Sequence, residues 1–168
     1  MSYAKTKGKK FETKIANEIH EHLKSTNPKY CKIVEMVDND NVLPKRDSSS
    51  GIFTTSNGDI ELGIAKPFFP FSVECKDHKD LDLSINSIFK SKIKKLYDIW
   101  YHQCIPNARK ASLTPLMIFK ANRTETFTIC NIESININKC EIYIKLKDDL
   151  VMVLFEDFLK FWKTKNKE

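Results

Sequence analysis

Two segments decide how this chain is interpreted: Gly58-Asp59-Ile60-Glu61-Leu62-Gly63 and Phe71-Ser72-Val73-Glu74-Cys75-Lys76. Side chains alternate faces along a β-strand, so Glu74 and Lys76 share one face of the second segment, and its apolar residues form the other. Acidic and apolar residues alternate in the first segment in the same way. If the two segments form a hairpin, Asp59 can approach Glu74 and Lys76.

Two carboxylates at one point can bind a hard divalent cation, and Mg²⁺ is usually held by one or two carboxylates together with waters and substrate phosphates. A lysine beside such a metal can orient or deprotonate a water and offset charge on a phosphate. These groups are suited to phosphodiester hydrolysis. The alternative is a two-stranded ribbon whose acidic and basic side chains form solvated cross-strand ion pairs.

The pattern of Asp59 followed by Glu74-Cys75-Lys76 resembles the PD-(D/E)-x-K nuclease motif in its Glu-Cys-Lys form. Within that superfamily the chain resembles the archaeal and phage Holliday junction resolvases over about Lys7 to Asn131. The elements that carry this resemblance are Lys7-Gly8-Lys9-Lys10-Phe11-Glu12, Arg46 with Ser48-Ser49-Ser50-Gly51, Gly58-Asp59 and Glu74-Cys75-Lys76. One departure is Gly58, where many members of the family have proline.

The resemblance implies an α/β protein with a restriction-endonuclease-like fold, an α/β/α sandwich around a mixed central β-sheet. It implies that Asp59 and Glu74 bind Mg²⁺, helped by the backbone carbonyl of Cys75, with Mn²⁺ as a substitute. Lys76 would position or activate the attacking water, and Glu12 would complete the catalytic site. For Glu12 an alternative stays open, because a carboxylate in the first turn of a helix is also favoured by the helix dipole.

Further residues are candidates for contacts with DNA. They are the basic N-terminal residues Lys7, Lys9 and Lys10, the loop residues Arg46, Ser48, Ser49 and Ser50, and the helical residues Lys90, Lys94 and Lys95. The serine loop could equally be a flexible exposed loop, and the lysines a solvated helix face. The element Trp100-Tyr101-His102-Gln103 resembles one in phage relatives, which implies that Gln103 approaches the active site. Packing by Trp100 is the alternative role of this element.

The composition is that of a globular protein. The 168 residues suffice for one domain with a hydrophobic core, and the net charge of +6 suits a polyanionic partner. No apolar run reaches the length of a membrane span, and the N-terminus lacks the apolar core of a signal peptide, so we expect a cytoplasmic protein, in the host if the gene is viral. Five cysteines without a Cys-x-x-Cys pair indicate neither a disulfide framework nor a zinc site.

Length and periodicity predict one domain over residues 1–168, with a basic arm over residues 1–10, and the resemblance implies that it is a nuclease domain. The predicted helices and strands are a helix Lys9–Lys24, a strand Tyr30–Val37, the hairpin that carries the motif, a helix Leu83–Cys104, strands Leu116–Lys120 and Thr126–Cys130, a hairpin within Ile135–Leu146, and a closing helix Val151–Trp162. Pro106 is expected to begin the loop after the second helix.

Together these observations predict a Mg²⁺-dependent DNA endonuclease, with branched DNA such as a Holliday junction as the leading substrate. Two cuts on opposing strands need two sites, which predicts a symmetric homodimer. One alternative keeps the chemistry on other DNA, as a restriction-type or a replication or repair nuclease. The other alternative is a non-catalytic basic DNA-binding protein.

Overall fold

The computed structural model describes residues 3–37, 42–48, 58–78, 93–121 and 124–163. Its main feature is a five-stranded mixed sheet with the strand order β3-β4-β5-β7-β6. The strands are β3 (Phe71–His78), β4 (Thr114–Ala121), β5 (Thr126–Asn131), β6 (Tyr143–Lys145) and β7 (Leu150–Leu154). β3 runs parallel to β4, and the other neighbours are antiparallel. The predicted strands Leu116–Lys120 and Thr126–Cys130 are therefore confirmed.

Helices cover both faces of this sheet, as β4 shows. Leu116 and Ile118 pack in a core with helix α1 (Tyr3–Thr26) and helix α5 (Phe155–Phe161), whereas Met117 and Phe119 pack in a second core with helix α3 (Lys94–Ile99). Alternate residues of a strand face opposite sides of a sheet, so the two cores lie on opposite faces. The predicted α/β/α sandwich around a mixed central sheet is confirmed.

The N-terminal helix is longer than predicted, and the strand expected after it is a helix. α1 spans Tyr3–Thr26, so the basic residues 5–10 belong to its first turns and are not a separate arm. Helix α2 (Pro28–Glu35) replaces the predicted strand Tyr30–Val37. The Asn27 side chain caps α2 by accepting hydrogen bonds from the backbone N–H groups of Lys29 and Tyr30, and Pro28 occupies the first turn, where it costs no hydrogen bond.

The motif does not form the predicted hairpin. β2 (Ile60–Glu61) pairs antiparallel with β1 (Lys45–Arg46), and β3 takes β4 as its partner in the sheet. A 3-10 turn at Gly63–Ala65 lies between β2 and β3. The first motif segment lies beside β3. Hydrogen bonds between Asp59 and the β3 residues Val73 and Cys75 connect the two.

The described part of the second predicted helix begins with α3. Helical structure then continues beyond Cys104, the predicted end of this helix. A π-helical segment (Trp100–Cys104) joins α3 to α4 (Ile105–Ala111), and the predicted residues 83–92 lie outside the described part. Pro106 lies in the first turn of α4, so its expected role as a loop boundary is wrong. The preceding π turn, in which the Ile105 N–H bonds to the Trp100 carbonyl, lets the helix accommodate a residue without a backbone donor.

Two predictions near the C-terminus are also wrong. The closing helix is only Phe155–Phe161, because residues 150–154 form β7, which is buried almost throughout. In place of a hairpin, the region of Ile135–Leu146 has a 3-10 turn at Ile137–Lys139 and the short edge strand β6, which pairs with β7. All five cysteines are free. None of the described helices combines the length and the apolar character that a membrane span requires.

Candidate active site

Asp59, Glu74 and Lys76 meet at one buried point beside β3. The Lys76 Nζ lies 2.5 Å from the Glu74 Oε1 and 3.9 Å from the Asp59 Oδ2. Asp59 and Glu74 are each only 6% exposed. The predicted approach of Asp59 to Glu74 and Lys76 is therefore present, although the hairpin that was expected to bring it about is not.

Backbone hydrogen bonds to β3 hold Asp59 in place. Its N–H donates to the Val73 carbonyl at 2.7 Å, and its Oδ2 accepts from the Cys75 N–H at 2.8 Å. The N–H and C=O of one strand residue point to the same side, so the Cys75 carbonyl also faces the Asp59 segment. The arrangement is possible because β3 is the last strand of the sheet in the described part of the chain.

Gly58 is required by this approach. Its φ is +125°, and a Cβ atom there would lie 2.6 Å from the Val73 carbonyl oxygen. Proline fixes φ near −65°, so the residue that many members of the resembled family have could not adopt this backbone. The departure from the family pattern thus has a geometric cause in this chain.

The cluster carries an excess of negative charge. Burial raises the pKa of Glu74, and the nearby Asp59 carboxylate raises it further. Burial lowers the pKa of Lys76, but the Glu74 and Asp59 carboxylates outweigh that effect, and its net pKa is raised. Lys76 is therefore an ammonium at neutral pH and acts as a hydrogen-bond donor.

Glu12 approaches the cluster from α1 and is paired with Arg46. The Arg46 Nε donates to the Glu12 Oε2 at 2.5 Å. Burial raises the pKa of Glu12, the charge of Asp59 raises it further, and Arg46 lowers it. Arg46 thus forms an ion pair with Glu12, a carboxylate beside the cluster. Any contact of Arg46 with DNA would be additional to this ion pair.

Asn107 of α4 also contacts the cluster, and the sequence analysis missed this residue. Its Nδ2 donates to the Glu74 Oε2 at 3.3 Å, so both Glu74 oxygens are engaged, one by Lys76 and one by Asn107. Gln103, which was expected to approach the site, lies one turn earlier and is exposed. If the predicted helix is continued through Pro106, Asn107 lies four residues after Gln103 and therefore on the same side of a regular helix.

Comparison with known proteins identifies the family. A family model described as "Phage putative PDDEXK endonuclease" matches residues 3–167. The chain belongs to this family. This protein is accordingly a metal-dependent PD-(D/E)-x-K endonuclease that acts on DNA, and the alternative of a non-catalytic binding protein is set aside. No curated protein matches the chain.

One solved structure is similar to this endonuclease. It is a Holliday junction resolvase from the archaeal hyperthermophile Archaeoglobus fulgidus, with 14% sequence identity, 70% of this chain and 77% of that chain covered, and a TM-score of 0.33. The assignment of the family rests on the match over residues 3–167.

The residues of this endonuclease fit a hard divalent cation. Within the described residues no group of three or more His, Cys, Asp or Glu side chains converges as a metal site. The buried pair Asp59 and Glu74 nevertheless brings two carboxylates together, and the pKa of Glu74 is raised by burial and further by the charge of Asp59, both of which a cation would offset. Two carboxylates suit an ion that keeps several waters and binds substrate phosphate.

The predicted DNA-contacting lysines fall on two surfaces of the endonuclease. Lys7 and Lys10 line a cavity of about 370 Å³ together with Lys14 and Lys120, which we call the lysine recess. Lys9, on the same turns of α1, is exposed. Lys94 and Lys95 are exposed at the start of α3, and Ser48 is exposed after β1. The predicted contacts Ser49, Ser50 and Lys90 lie outside the described residues.

Proposed function

We propose that this protein is a Mg²⁺-dependent endonuclease that hydrolyses phosphodiester bonds in branched DNA, with the four-way Holliday junction as the leading substrate. The observation that carries the proposal is the meeting of Asp59, Glu74 and Lys76 at a buried point beside an edge strand. The edge position lets the Asp59 segment, rather than a further strand, lie against β3 and bring its carboxylate to the cluster. We further propose that residues 1–168 form one nuclease domain that acts in the cytoplasm, of a host if the gene is viral.

Asp59 and Glu74 are the proposed metal ligands, with the Cys75 carbonyl as a third oxygen. When bound, the cation would polarise the scissile phosphate and offset the negative charge that develops on its oxygens. Asn107 and Lys76 hold the two Glu74 oxygens in a fixed orientation through their hydrogen bonds. Glu12, held by Arg46, adds a carboxylate at the edge of the same cluster. Gln103 remains a proposed catalytic residue, in reach of a DNA strand because it is exposed.

Lys76 is proposed to position the attacking water and to donate to the phosphate oxygens. Its raised pKa keeps it protonated at neutral pH, so it has no free lone pair with which to accept a proton. A protonated lysine stabilises negative charge on the transferring group without any proton transfer. In-line attack is expected to leave a 5′-phosphate, as in the resembled resolvases.

The DNA backbone is proposed to run across the lysine recess. Lys7 pairs with Asp77, which follows Lys76 in β3 and faces α1 on the opposite side of the strand, so the recess begins one residue along β3 from the proposed active site. Among the described residues, neither Lys10 nor Lys120 has a carboxylate within salt-bridge distance. Unpaired cations in a recess favour phosphate, and such contacts carry no base information.

Clean resolution of a junction requires two incisions related by symmetry. We therefore propose a two-fold homodimer that directs both metal sites toward one DNA junction, with Lys9 on α1 and Lys94 and Lys95 on α3 contacting the DNA from the two faces of the sheet. Arg46 and the serine loop that includes Ser48 would lie beside the cut strand.

The test is a cleavage assay on four-way junctions, flaps and linear duplexes of the same sequence, with Mg²⁺, Mn²⁺ or a chelator, alongside a measurement of oligomeric state with DNA bound. We expect metal-dependent cleavage, 5′-phosphate ends, preference for the junction and a dimer. Cleavage that prefers linear duplex by a monomer would contradict the resolvase assignment and leave the nuclease chemistry. Failure to cleave any DNA with either metal would contradict the catalytic assignment.

A matched pair of double variants tests the path of the DNA. Lys10→Glu with Lys120→Glu should weaken binding to all DNA sequences and reduce the salt dependence of affinity by about two phosphate contacts. Lys139→Glu with Lys145→Glu makes the same charge change on exposed residues, Lys145 in β6 at the opposite edge of the described sheet and Lys139 in the 3-10 turn before it, and should have a much smaller effect. Equal effects of the two double variants would show that overall charge, and not the recess, governs binding.

A further inference from the structure

A second cavity lies on the other side of the proposed active site. It measures about 550 Å³, and we call it the flanking cavity. Ser72, which lines it, lies two residues before Glu74 in β3, whereas Asp77 of the lysine recess follows Lys76. At about 3.3 Å per residue, the two cavities are separated along β3 by roughly 17 Å, with the cluster between them.

The flanking cavity is tied to the cluster by the backbone. Asp47, which lines the cavity, donates its N–H to the carbonyl of Asp59 at 2.8 Å. Ser72 and Glu74 point to the same face of β3, about 7 Å apart along the strand. A group bound in this cavity would therefore lie next to the phosphate that is cut, within one nucleotide of it.

The lining of the flanking cavity differs in charge from that of the lysine recess. Among the described residues that line it are two carboxylates, Asp47 and Glu61, and one lysine, Lys66, and a second lysine, Lys45, pairs with Glu61 at 3.6 Å. The floor is apolar, with Ile60, Leu62 and Leu113. Positive and negative charges balance among these residues, so a phosphate would find here none of the excess positive charge that the lysine recess offers.

An apolar floor with carboxylate acceptors at the rim suits a flat, neutral group with N–H donors. A nucleobase has this chemistry. Its ring faces are apolar, and cytosine, adenine and guanine carry amino groups at their edges whose N–H groups can donate hydrogen bonds to carboxylates. A cavity of this volume lies within the range that holds ligands of nucleoside size.

We propose that the flanking cavity binds one unpaired nucleobase next to the scissile phosphate. The inference rests on the proposed function, because it takes the cluster as the point of cleavage. A base in a regular duplex must be unstacked and unpaired to enter, which costs a few kcal/mol, and this cost is lowest for a base that is already unpaired. The cavity would therefore favour branch points, where such bases occur, over continuous duplex.

Binding in the presence of Ca²⁺ in place of Mg²⁺ tests the inference separately from cleavage. The DNA is a branched duplex with one unpaired nucleotide at the branch, which is 2-aminopurine, a normal base or an abasic residue. We expect a rise in 2-aminopurine fluorescence on binding, since none of the described residues that line the cavity is aromatic, and about tenfold weaker binding of the abasic DNA, which lacks the apolar rings that the floor would bury. No fluorescence change, together with equal affinity for the abasic DNA, would overturn the inference.

Two variants locate the binding to the cavity. Glu61→Gln removes an acceptor charge, and we expect it to weaken binding of an unpaired cytosine more than of an unpaired thymine, which has no amino group. Glu156→Gln is the matched control, because Glu156 is also an exposed glutamate paired with a lysine, Lys160 at 3.9 Å, as Glu61 is with Lys45 at 3.6 Å. Equal responses of the two variants would overturn the inference.

The outcome is also distinguishable from failure of the proposed function. If the protein cleaves branched DNA but binds abasic and normal DNA equally well, the proposed function stands and the proposed base site is overturned. A protein that shows the fluorescence change and the Glu61→Gln effect but never cleaves retains the base site and loses the catalytic assignment.

Discussion

Replacing Gly58 by alanine should both destabilise the protein and disable its active site. The residue has a φ of +125°, and a Cβ atom would lie 2.6 Å from the Val73 carbonyl oxygen, which is backbone and cannot rotate away. Holding alanine in such a region costs about 1–3 kcal/mol. The Asp59 N–H to Val73 carbonyl bond lies directly beside the clash, and its loss would add about 1 kcal/mol.

The expected loss of stability is therefore about 2–4 kcal/mol, which corresponds to a fall in Tm of about 4–16 °C for a chain of this length. Gly8→Ala is the matched control. Gly8 lies inside α1, and a Cβ there would have the Glu12 Oε1 at 3.8 Å as its nearest neighbour, an ordinary contact. That variant should gain about 0.5–1 kcal/mol, because alanine is the better helix former.

Thermal unfolding of the purified variants measures the first effect, and single-turnover cleavage well below the Tm measures the second. Gly58→Ala should lose activity while it is still folded, because Asp59 can no longer reach Glu74. Gly58→Pro restores the residue common in the resembled family and should be at least as damaging. A Gly58→Ala protein with the Tm and the cleavage rate of the wild type would refute the reasoning about this backbone.

Three further predictions concern the cluster itself. Lys76→Ala should keep the fold and DNA binding but slow cleavage on the order of 100- to 1,000-fold, measured at saturating DNA, because the donor to the phosphate is lost; a rate near that of the wild type would remove Lys76 from the mechanism. Glu74→Gln should abolish cleavage yet raise the Tm of the metal-free protein at neutral pH. The folded-state pKa of Glu74 is raised above 4.5, so the wild type loses stability as pH rises through that raised pKa, and the gain should vanish at pH 4.5 or below. Asn107→Ala should raise the metal concentration for half-maximal cleavage about 10- to 100-fold with little change in the saturated rate, whereas the exposed Asn138→Ala should leave both unchanged; a fall in the saturated rate alone would argue against a positioning role.

The motif strand could be predicted because its signal is local. Phe71 to Lys76 alternate cleanly, and β3 is a strand with Glu74 and Lys76 on one face. The partner of that strand could not be predicted in the same way, because β4 is distant in sequence. Asp59 reaches the site through two hydrogen bonds to β3, a contact that no periodicity encodes.

Other errors arose where one pattern is compatible with two structures. Residues 151–153 are buried on both faces of the sheet, and a continuous apolar run cannot be distinguished by periodicity from part of a buried helix. Asn27 and Pro28 follow the end of α1, and the same two residues also begin α2. Asn107 could not be predicted from the sequence because Pro106 is expected to begin a loop, whereas the π turn before it lets the helix continue.

The position of β3 in the sheet has a consequence for the time at which the enzyme becomes active. Its partner in the described sheet is β4, which pairs Phe71 with Thr114 and His78 with Ala121. While the chain is being synthesised, β3 has no partner in the described sheet until β4 emerges, from Thr114, which pairs with Phe71, to Ala121. Asn107 and the α3–α4 face are also made in that interval. We therefore expect that the proposed DNA-cutting site cannot assemble before β4 has been made, so that a nascent chain that ends before β4 does not cleave DNA.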